Sequence, residues 1–258
     1  MRLESHTASV WTQLTPLSAP DSAAPHAGLD AAPRAIFVDL EGALVEPLPD
    51  NVDPAGLRLR PLALDGLRLL ADAGYRLIVV TQQPGLAYGI FSRAALSRLH
   101  AALARIAQAQ GVHLADFYAC PHAPGAGRVD ACLCRAPSPG LMRQAARGHG
   151  LALAQSWLVG DTLDDIEAGH RAGCRSLLLD VGSETEWRIS PLRQPDVRAA
   201  NLLQAAQAIL ACGPARAEAA PLARAARPAS AAPSRQAGLQ QLAARWWGRL
   251  AFGHRPTS

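Results

Sequence analysis

The sequence predicts an α/β domain with a doubly wound parallel sheet, and two observations support this prediction. Short apolar runs alternate with helical patterns across residues 34–212, which is typical of strands and helices that alternate along the chain. Three of these runs end on, or run directly into, a polar residue, namely Asp39, Thr81 and Asp161. Because the carboxyl ends of parallel strands meet at one edge of the sheet, these side chains are expected to lie together there.

The individual elements follow from hydrophobic periodicity and from the residues that begin or end helices. Apolar runs predict five buried strands, and helical spacing between capping residues, prolines and glycines predicts five helices. The expected strands are 35–39, 76–81, 115–119, 156–161 and 175–180, and the expected helices are 61–74, 92–111, 139–150, 163–173 and 199–212.

A long proline-containing loop, residues 45–60, follows the first strand. A loop of this length in a compact domain is more often functional than idle. Its two arginines, Arg58 and Arg60, could meet a distal phosphate of a substrate, or they could simply be solvated, and we favour solvation.

Two acids close the first strand. Asp39 ends it, and Glu41 and Gly42 follow within three residues. This pairing suggests Asp39 as a nucleophile and Glu41 as a proton donor and acceptor. The alternative is a strand followed by a solvated acidic turn, since a D-x-E-G pattern is common in loops.

The positive charge of the chain is concentrated at its C-terminal end. The sequence contains no lysine, and its formal net charge is +4. Residues 213–258 carry seven arginines and one acid, so the rest of the chain is slightly acidic. The basic balance therefore does not indicate a nucleic-acid groove in the folded domain. No apolar run approaches the roughly 18 residues that a membrane span needs, and no secretory signal is visible, so we expect a cytoplasmic protein.

The segments outside the α/β domain have distinct compositions. Residues 1–33 are rich in Ala, Pro, Ser and Thr and are expected to form a disordered extension. Residues 213–236 form an Ala/Pro/Arg linker, and residues 237–258 show the apolar stripe of a basic amphipathic helix. This helix could dock on the core, on a partner or on a membrane surface, or it could be disordered.

Three of the five cysteines and one histidine fall within fifteen residues. A C-x-H pair and a C-x-C pair suit one tetrahedral Zn²⁺, which each pair would chelate from a turn. A disulfide is unfavoured in a reducing compartment and between residues two apart. With four protein ligands and no open position, the zinc would be structural. The expected ligands are Cys120, His122, Cys132 and Cys134.

Together these motifs resemble those of the haloacid-dehalogenase-like phosphatases, in the branch of the heptose-bisphosphate and histidinol-phosphate phosphatases. That branch shows a strand followed by D-x-D-G, a strand followed by T-N-Q-S-G, a C-x-H…C-x-C loop running into C-R-K-P, and a strand followed by G-D-x-x-x-D. The corresponding stretches here are 39–42, 81–85, 120–137 and 160–165, and the resemblance covers residues 35–210. It implies a Rossmann-like fold with a small zinc-binding loop and no large cap domain.

The resemblance also implies a mechanism and a set of site residues. Asp39 would attack phosphorus and form an aspartyl-phosphate, and Glu41 would protonate the leaving group and then activate water. Catalytic Mg²⁺ would be held by Asp39, Asp161 and the main-chain carbonyl of Glu41, with Asp165 in or near its shell. The phosphoryl group and substrate would be bound by Thr81, Gln82 and Arg135.

Three positions depart from the family pattern. Glu41 stands where the family has Asp, Gln82 where it has Asn, and Ala136 where it has a phosphate-binding Lys. The longer acid moves its carboxyl group by about 1 Å, a displacement that can cost about a hundredfold in rate. Because the other motif residues are present, the resemblance still leads us to expect a Mg²⁺-dependent phosphomonoesterase for a small sugar phosphate, such as a heptose bisphosphate. The alternatives are a catalytically impaired relative with a binding or regulatory role, and a histidinol-phosphate-type phosphatase.

Overall fold

The computed structural model describes residues 32–48, 52–125 and 132–213. Almost all of the expected N-terminal extension, the linker and the C-terminal amphipathic helix lie outside these residues. The chain divides into two units, Met1–Ala215 and Arg216–Ser258, and every described residue belongs to the first. Among the described residues, no helix combines the length and the hydrophobicity that crossing a membrane requires.

The described residues form one parallel sheet of six strands with helices between them. The strands are Ala35–Asp39 (β1), Arg76–Gln82 (β2), Leu114–Cys120 (β3), Trp157–Gly160 (β4), Arg175–Leu179 (β5) and Val197–Ala199 (β6). The helices are Ala63–Asp72 (α1), Arg93–Ala109 (α2), Gly140–His149 (α3), Leu163–Ala172 (α4) and Leu202–Ala211 (α5). The strand order is β3-β2-β1-β4-β5-β6 with parallel pairing throughout, which confirms the predicted doubly wound α/β fold.

The strand order places β1 at the point where the winding direction reverses. In open α/β sheets, ligands bind in the crevice outside the carboxyl ends of the strands at such a point. Asp39 lies opposite Val80 of β2, and Val38 lies opposite Val159 of β4. Thr81 within β2 and Asp161 directly after β4 each lie one residue beyond the level of Asp39, which brings the three predicted polar residues to one edge.

Apolar side chains pack against both faces of β1, between the strand and the helices. Ile36 and Val38 belong to the larger core cluster, which includes residues of α1, α2 and α5. Ala35 and Phe37 belong to a second cluster with residues of α3 and α4. This alternation is the strand period of two. Burial of each large apolar side chain contributes about 1.5–3 kcal/mol, so the central strand is a rigid base for the residues that follow it.

The C-terminal part of the domain differs from the sequence prediction. The closing helix begins at Leu202 rather than at residue 199, because the Asn201 side chain accepts a hydrogen bond from the backbone of Gln204 (2.9 Å) and caps the helix. Ala199 instead ends β6, a strand that periodicity did not predict. Its three residues, of which Arg198 is exposed, are too few to show a strand period.

Candidate active site

Asp161 lies directly against the chain that leaves β1. At Gly42 the backbone has φ +91°, and a Cβ added there would lie 1.8 Å from Oδ2 of Asp161. Only glycine leaves room for this contact. Because β1 and β4 are neighbours, the close approach fixes the Asp161 carboxylate next to the turn that carries Glu41.

Asp39, Thr81 and Asp165 line one small open cavity of about 20 Å³. Thr81 and Asp165 are almost fully buried, and Asp39 is partly buried. Gln82 and Ala136 line the same cavity. The structure therefore brings the predicted nucleophile together with Thr81, Gln82 and Asp165 around one cavity.

The acids of this edge disfavour one another's ionisation. Burial raises the pKa of Asp39 well above its usual range, and the neighbouring charges of Asp165, Asp161 and Glu41 raise it further. Burial also raises the pKa of Asp161 and raises that of Asp165 to about 7. Such a crowd of carboxylates is stabilised in its ionised form by a cation, and oxygen donors suit Mg²⁺.

These donors fit a magnesium ion only with help from other oxygen atoms. Among the described residues, the cysteine–histidine cluster is the one group with three or more side-chain ligand atoms within 4.8 Å of one another. A Mg²⁺ shell at Asp39 and Asp161 would therefore include a main-chain carbonyl and water, which this ion usually retains. Asp165 already uses one oxygen as a helix cap: its Oδ2 accepts a hydrogen bond from Thr162 Oγ1 (2.7 Å) at the start of α4.

A residue that the sequence analysis left out of the site holds Glu41. The side-chain amide of Gln83 donates to Oε1 of Glu41 (3.1 Å) and also to Oγ1 of Thr81 (2.9 Å). The backbone amide of Leu48 donates to Oε2 of Glu41 (3.2 Å). The Glu41 carboxylate is therefore held by the protein, and the alternative of a solvated acidic turn does not describe it. The signal available in the sequence was the position of Gln83 within the 81–85 motif, two residues after Thr81.

Arg135 connects two loops of the site. Its guanidinium donates to the side-chain oxygen of Gln82 (2.8 Å) and to the carbonyl oxygen of His122, and its buried Nε has no hydrogen-bond partner. These contacts hold the loop after β2 against the C-x-H turn. Ala136 lines the cavity at the position of the family's lysine and brings no positive charge to it.

The predicted zinc ligands form a tight cluster. Its three sulfur atoms are 3.2–3.6 Å apart, and Nδ1 of the histidine lies 3.2 and 3.7 Å from two of them. Zn–S and Zn–N bonds of about 2.3 and 2.0 Å give tetrahedral edges of similar length. The hydrogen bond between the thiols of Cys120 and Cys134 lowers the pKa of Cys120 to about 5 and raises that of Cys134, so it favours one thiolate in the pair. The residues compatible with zinc are Cys120, His122, Cys132 and Cys134.

The two arginines of the long loop have different environments. Arg58 is exposed, as expected, and its guanidinium binds carbonyl oxygens of its own loop. Arg60 is only partly exposed, and its buried Nε has no hydrogen-bond partner. Its backbone amide donates to Leu44 (3.1 Å), and its charge lowers the pKa of Asp161 against the effect of burial. The interpretation of Arg60 as a fully solvated residue is therefore wrong.

Comparisons with known proteins identify the relatives of this chain. Residues 133–208 match the HAD-hydrolase-like family model. The D-glycero-beta-D-manno-heptose-1,7-bisphosphate 7-phosphatase of Pseudomonas aeruginosa is 32% identical over 58% of this chain and 82% of its own length. The bifunctional histidine biosynthesis protein of Blochmanniella floridana is 29% identical over 56% of this chain but only 40% of its own length.

Solved structures show the same fold. The D,D-heptose 1,7-bisphosphate phosphatase of Bordetella bronchiseptica, solved with magnesium and phosphate, aligns with a TM-score of 0.57 and 28% identity over 69% of this chain and 98% of its own. A HAD-like phosphatase from Mesorhizobium loti aligns with a TM-score of 0.58 and 27% identity over 72% and 91% of the two chains. The chain therefore belongs to the haloacid-dehalogenase-like phosphatase family, in the branch that contains the heptose-1,7-bisphosphate phosphatases.

Proposed function

We propose that this protein is a Mg²⁺-dependent phosphomonoesterase that hydrolyses a small sugar phosphate through an aspartyl-phosphate. The observation that carries the proposal is the shared cavity of Asp39, Thr81 and Asp165, with Asp161 buried beside it against Gly42. A nucleophile, a hydroxyl donor and further acids at the carboxyl edge of a parallel sheet match the needs of phosphoryl transfer, which depends mostly on positioning and charge neutralisation.

The residues divide the reaction into two displacements. In the first, a carboxylate oxygen of Asp39 forms a bond to phosphorus while the bond from phosphorus to the sugar oxygen breaks, and Glu41 gives its proton to that oxygen. In the second, Glu41 takes a proton from water, whose oxygen attacks phosphorus and releases phosphate from Asp39. Thr81 and Gln82 would orient the phosphoryl oxygens from the cavity wall.

Two metals fit the residues present. Asp39, Asp161 and the main-chain carbonyl of Glu41 would hold Mg²⁺, with Asp165 nearby, and the ion would supply the positive charge that crowded carboxylates and a phosphoryl group require. The cysteine–histidine cluster would hold Zn²⁺ as a structural clip, because its four ligands complete a tetrahedron. This clip would fix the segment that carries Arg135.

A heptose bisphosphate is the substrate that the comparisons support best. The relative from Pseudomonas aeruginosa and the structure from Bordetella bronchiseptica both carry that activity in their names. A histidinol-phosphate-type activity has weaker support, since the histidine biosynthesis relative shares less of its length with this chain. The proposed small-molecule partner is therefore a phosphorylated sugar.

The test is phosphate release from a panel of sugar phosphates and histidinol phosphate in the presence of Mg²⁺. We expect turnover of a heptose bisphosphate in the ordinary range of about 1–10³ per second, loss of detectable turnover in Asp39→Asn, and loss on chelation of Mg²⁺. A wild type that shows no release from any member of the panel would overturn the proposal.

The second candidate is a catalytically impaired relative with a binding or regulatory role. The observation in its favour is that Ala136 lines the cavity while Arg135 is engaged by Gln82 and His122. The variants Ala136→Lys and Glu41→Asp/Ala136→Lys separate the two candidates. Activity that appears only in the double variant supports the impaired relative, and ordinary wild-type turnover excludes it.

A further inference from the structure

Gln83 is a buried amide that connects two residues of the active site. Its side chain is only 4% exposed, and its Nε2 donates both to Glu41 Oε1 and to Thr81 Oγ1. An amide nitrogen has two hydrogens, so one group fills both acceptors. Thr81 belongs to the strand next to β1, and Glu41 follows β1. The contact therefore sets the proton-transfer residue relative to the phosphoryl-binding hydroxyl.

The backbone of Gln83 is itself fixed on both sides. Its amide nitrogen donates to the carbonyl oxygen of Cys120 (2.8 Å) at the end of β3, and a single 3₁₀ turn, Pro84–Leu86, follows directly. A side chain that starts from such a point has little freedom to follow its partner. Gln83 therefore holds Glu41 in place.

The length of Glu41 suits two donors that contact it, the Gln83 side chain and the Leu48 backbone amide. Oε1 lies 3.1 Å from Gln83 Nε2, and Oε2 lies 3.2 Å from the backbone nitrogen of Leu48, both near the upper end of normal hydrogen-bond distances. An aspartate would withdraw the carboxyl group by about 1 Å, the displacement that one methylene produces. Both contacts would then exceed the limit for a hydrogen bond.

We propose that Gln83, which the family pattern also has beside aspartate, is here a positioning residue for Glu41, and that the Leu48 amide completes the contacts that hold the longer acid at position 41. The inference rests on the proposed phosphatase function. The additional methylene of Glu41 is then part of a working arrangement, and restoring the shorter acid of the family pattern by Glu41→Asp lowers turnover instead of raising it.

The kinetic test compares Gln83→Met, which keeps the approximate length of the side chain but removes its donors, with the exposed control Gln108→Met on α2. We expect kcat on the best sugar phosphate to fall about 10- to 100-fold in Gln83→Met, while KM changes less than about threefold and the control is unaffected. Glu41→Asp should lose a similar factor, and adding Gln83→Met to it should cost little more. An unchanged kcat in Gln83→Met, a gain in Glu41→Asp, or multiplicative losses in the double variant would overturn the proposal.

A second measurement separates this inference from the proposed function. In urea unfolding, the shift in midpoint caused by Gln83→Met should be at least halved when residue 41 is already Asp, because the contact is then absent. The double variant Glu41→Gln/Gln83→Glu exchanges donor and acceptor. It should be more stable than either single variant, but its kcat should stay low. A wild type without turnover would refute the phosphatase function and, with it, any catalytic role of Gln83. The urea-unfolding measurements would then test the contact between Gln83 and Glu41 by themselves, and additive shifts in the unfolding midpoint would refute it.

Discussion

Replacement of His100 by leucine should remove a loss of stability that the wild-type protein shows in mild acid. His100 lies on α2, is 5% exposed and stacks on Phe117 of β3 with ring centroids 4.6 Å apart. Its Nε2 is buried without a hydrogen-bond partner. Burial lowers the pKa of His100 from 6.5 to about 4, although the nearby charge of Asp116 acts in the opposite direction.

The sign and size of the effect follow from proton linkage. Between pH 6.5 and about 4 the unfolded chain binds a proton at His100 that the folded chain does not, so the free energy of unfolding falls as the pH falls. The contribution of the neutral side chain is complete above pH 6.5. Each pH unit within this window is worth about 1.4 kcal/mol, so the loss between pH 7 and pH 5 is about 2 kcal/mol.

Urea unfolding of wild type, His100→Leu and the control His113→Leu at pH 7, 6 and 5 measures this contribution. His113 is exposed, so its replacement should leave the pH dependence unchanged. Other groups also titrate, and the relevant quantity is therefore the difference between wild type and each variant. If the difference in the free energy of unfolding between His100→Leu and wild type is the same at pH 5 as at pH 7, the assignment of a buried neutral imidazole is refuted.

Two further predictions concern the turn after β1 and the cysteine–histidine cluster. Gly42→Ala should lower turnover at least about 100-fold, because the added Cβ would displace the Asp161 carboxylate. The control Gly89→Ala should retain activity, because Gly89 also has a positive φ but has open space around it. Equal losses of turnover in the two variants would contradict the clash with Asp161. The purified wild-type protein should contain about one equivalent of zinc. Cys132→Ser should lose the zinc and melt several degrees lower, whereas the control Cys212→Ser, which lies outside the cluster, should do neither. Less than half an equivalent of zinc in the wild type would contradict the zinc site.

The central part of the fold and site was predictable because it depends on local patterns. Apolar runs that lead into Asp39, Thr81 and Asp161 specify strand ends, and parallel pairing then brings them to one edge. The cysteine–histidine cluster was predictable for the same reason, since close spacing in sequence limits the distance between ligands. In each case the information lies within a few residues.

The features that were missed depend on contacts between distant segments. The role of Gln83 requires the position of Glu41, 42 residues away in sequence. The partial burial of Arg60 depends on how residues 44–46 pair with residues 58–60, and a lone arginine in a loop gives no sign of that pairing. β6 forms only because β5 offers an edge to three residues that have no strand pattern of their own.

Because position 136 carries alanine, the positive charge of the proposed site depends on other groups. Burial raises the pKa of Asp39 and of Asp161, and the charges of Asp165, Asp161 and Glu41 raise that of Asp39 further, so a compensating cation favours the approach of a phosphate. Arg135 cannot supply it freely, because Gln82 and the His122 carbonyl already occupy its guanidinium. Arg60 acts on Asp161 from the opposite loop and lowers its pKa. Arg60, in the loop after β1, is therefore an arginine whose charge reaches an acid of the site, and we propose that a divalent ion supplies the remaining positive charge.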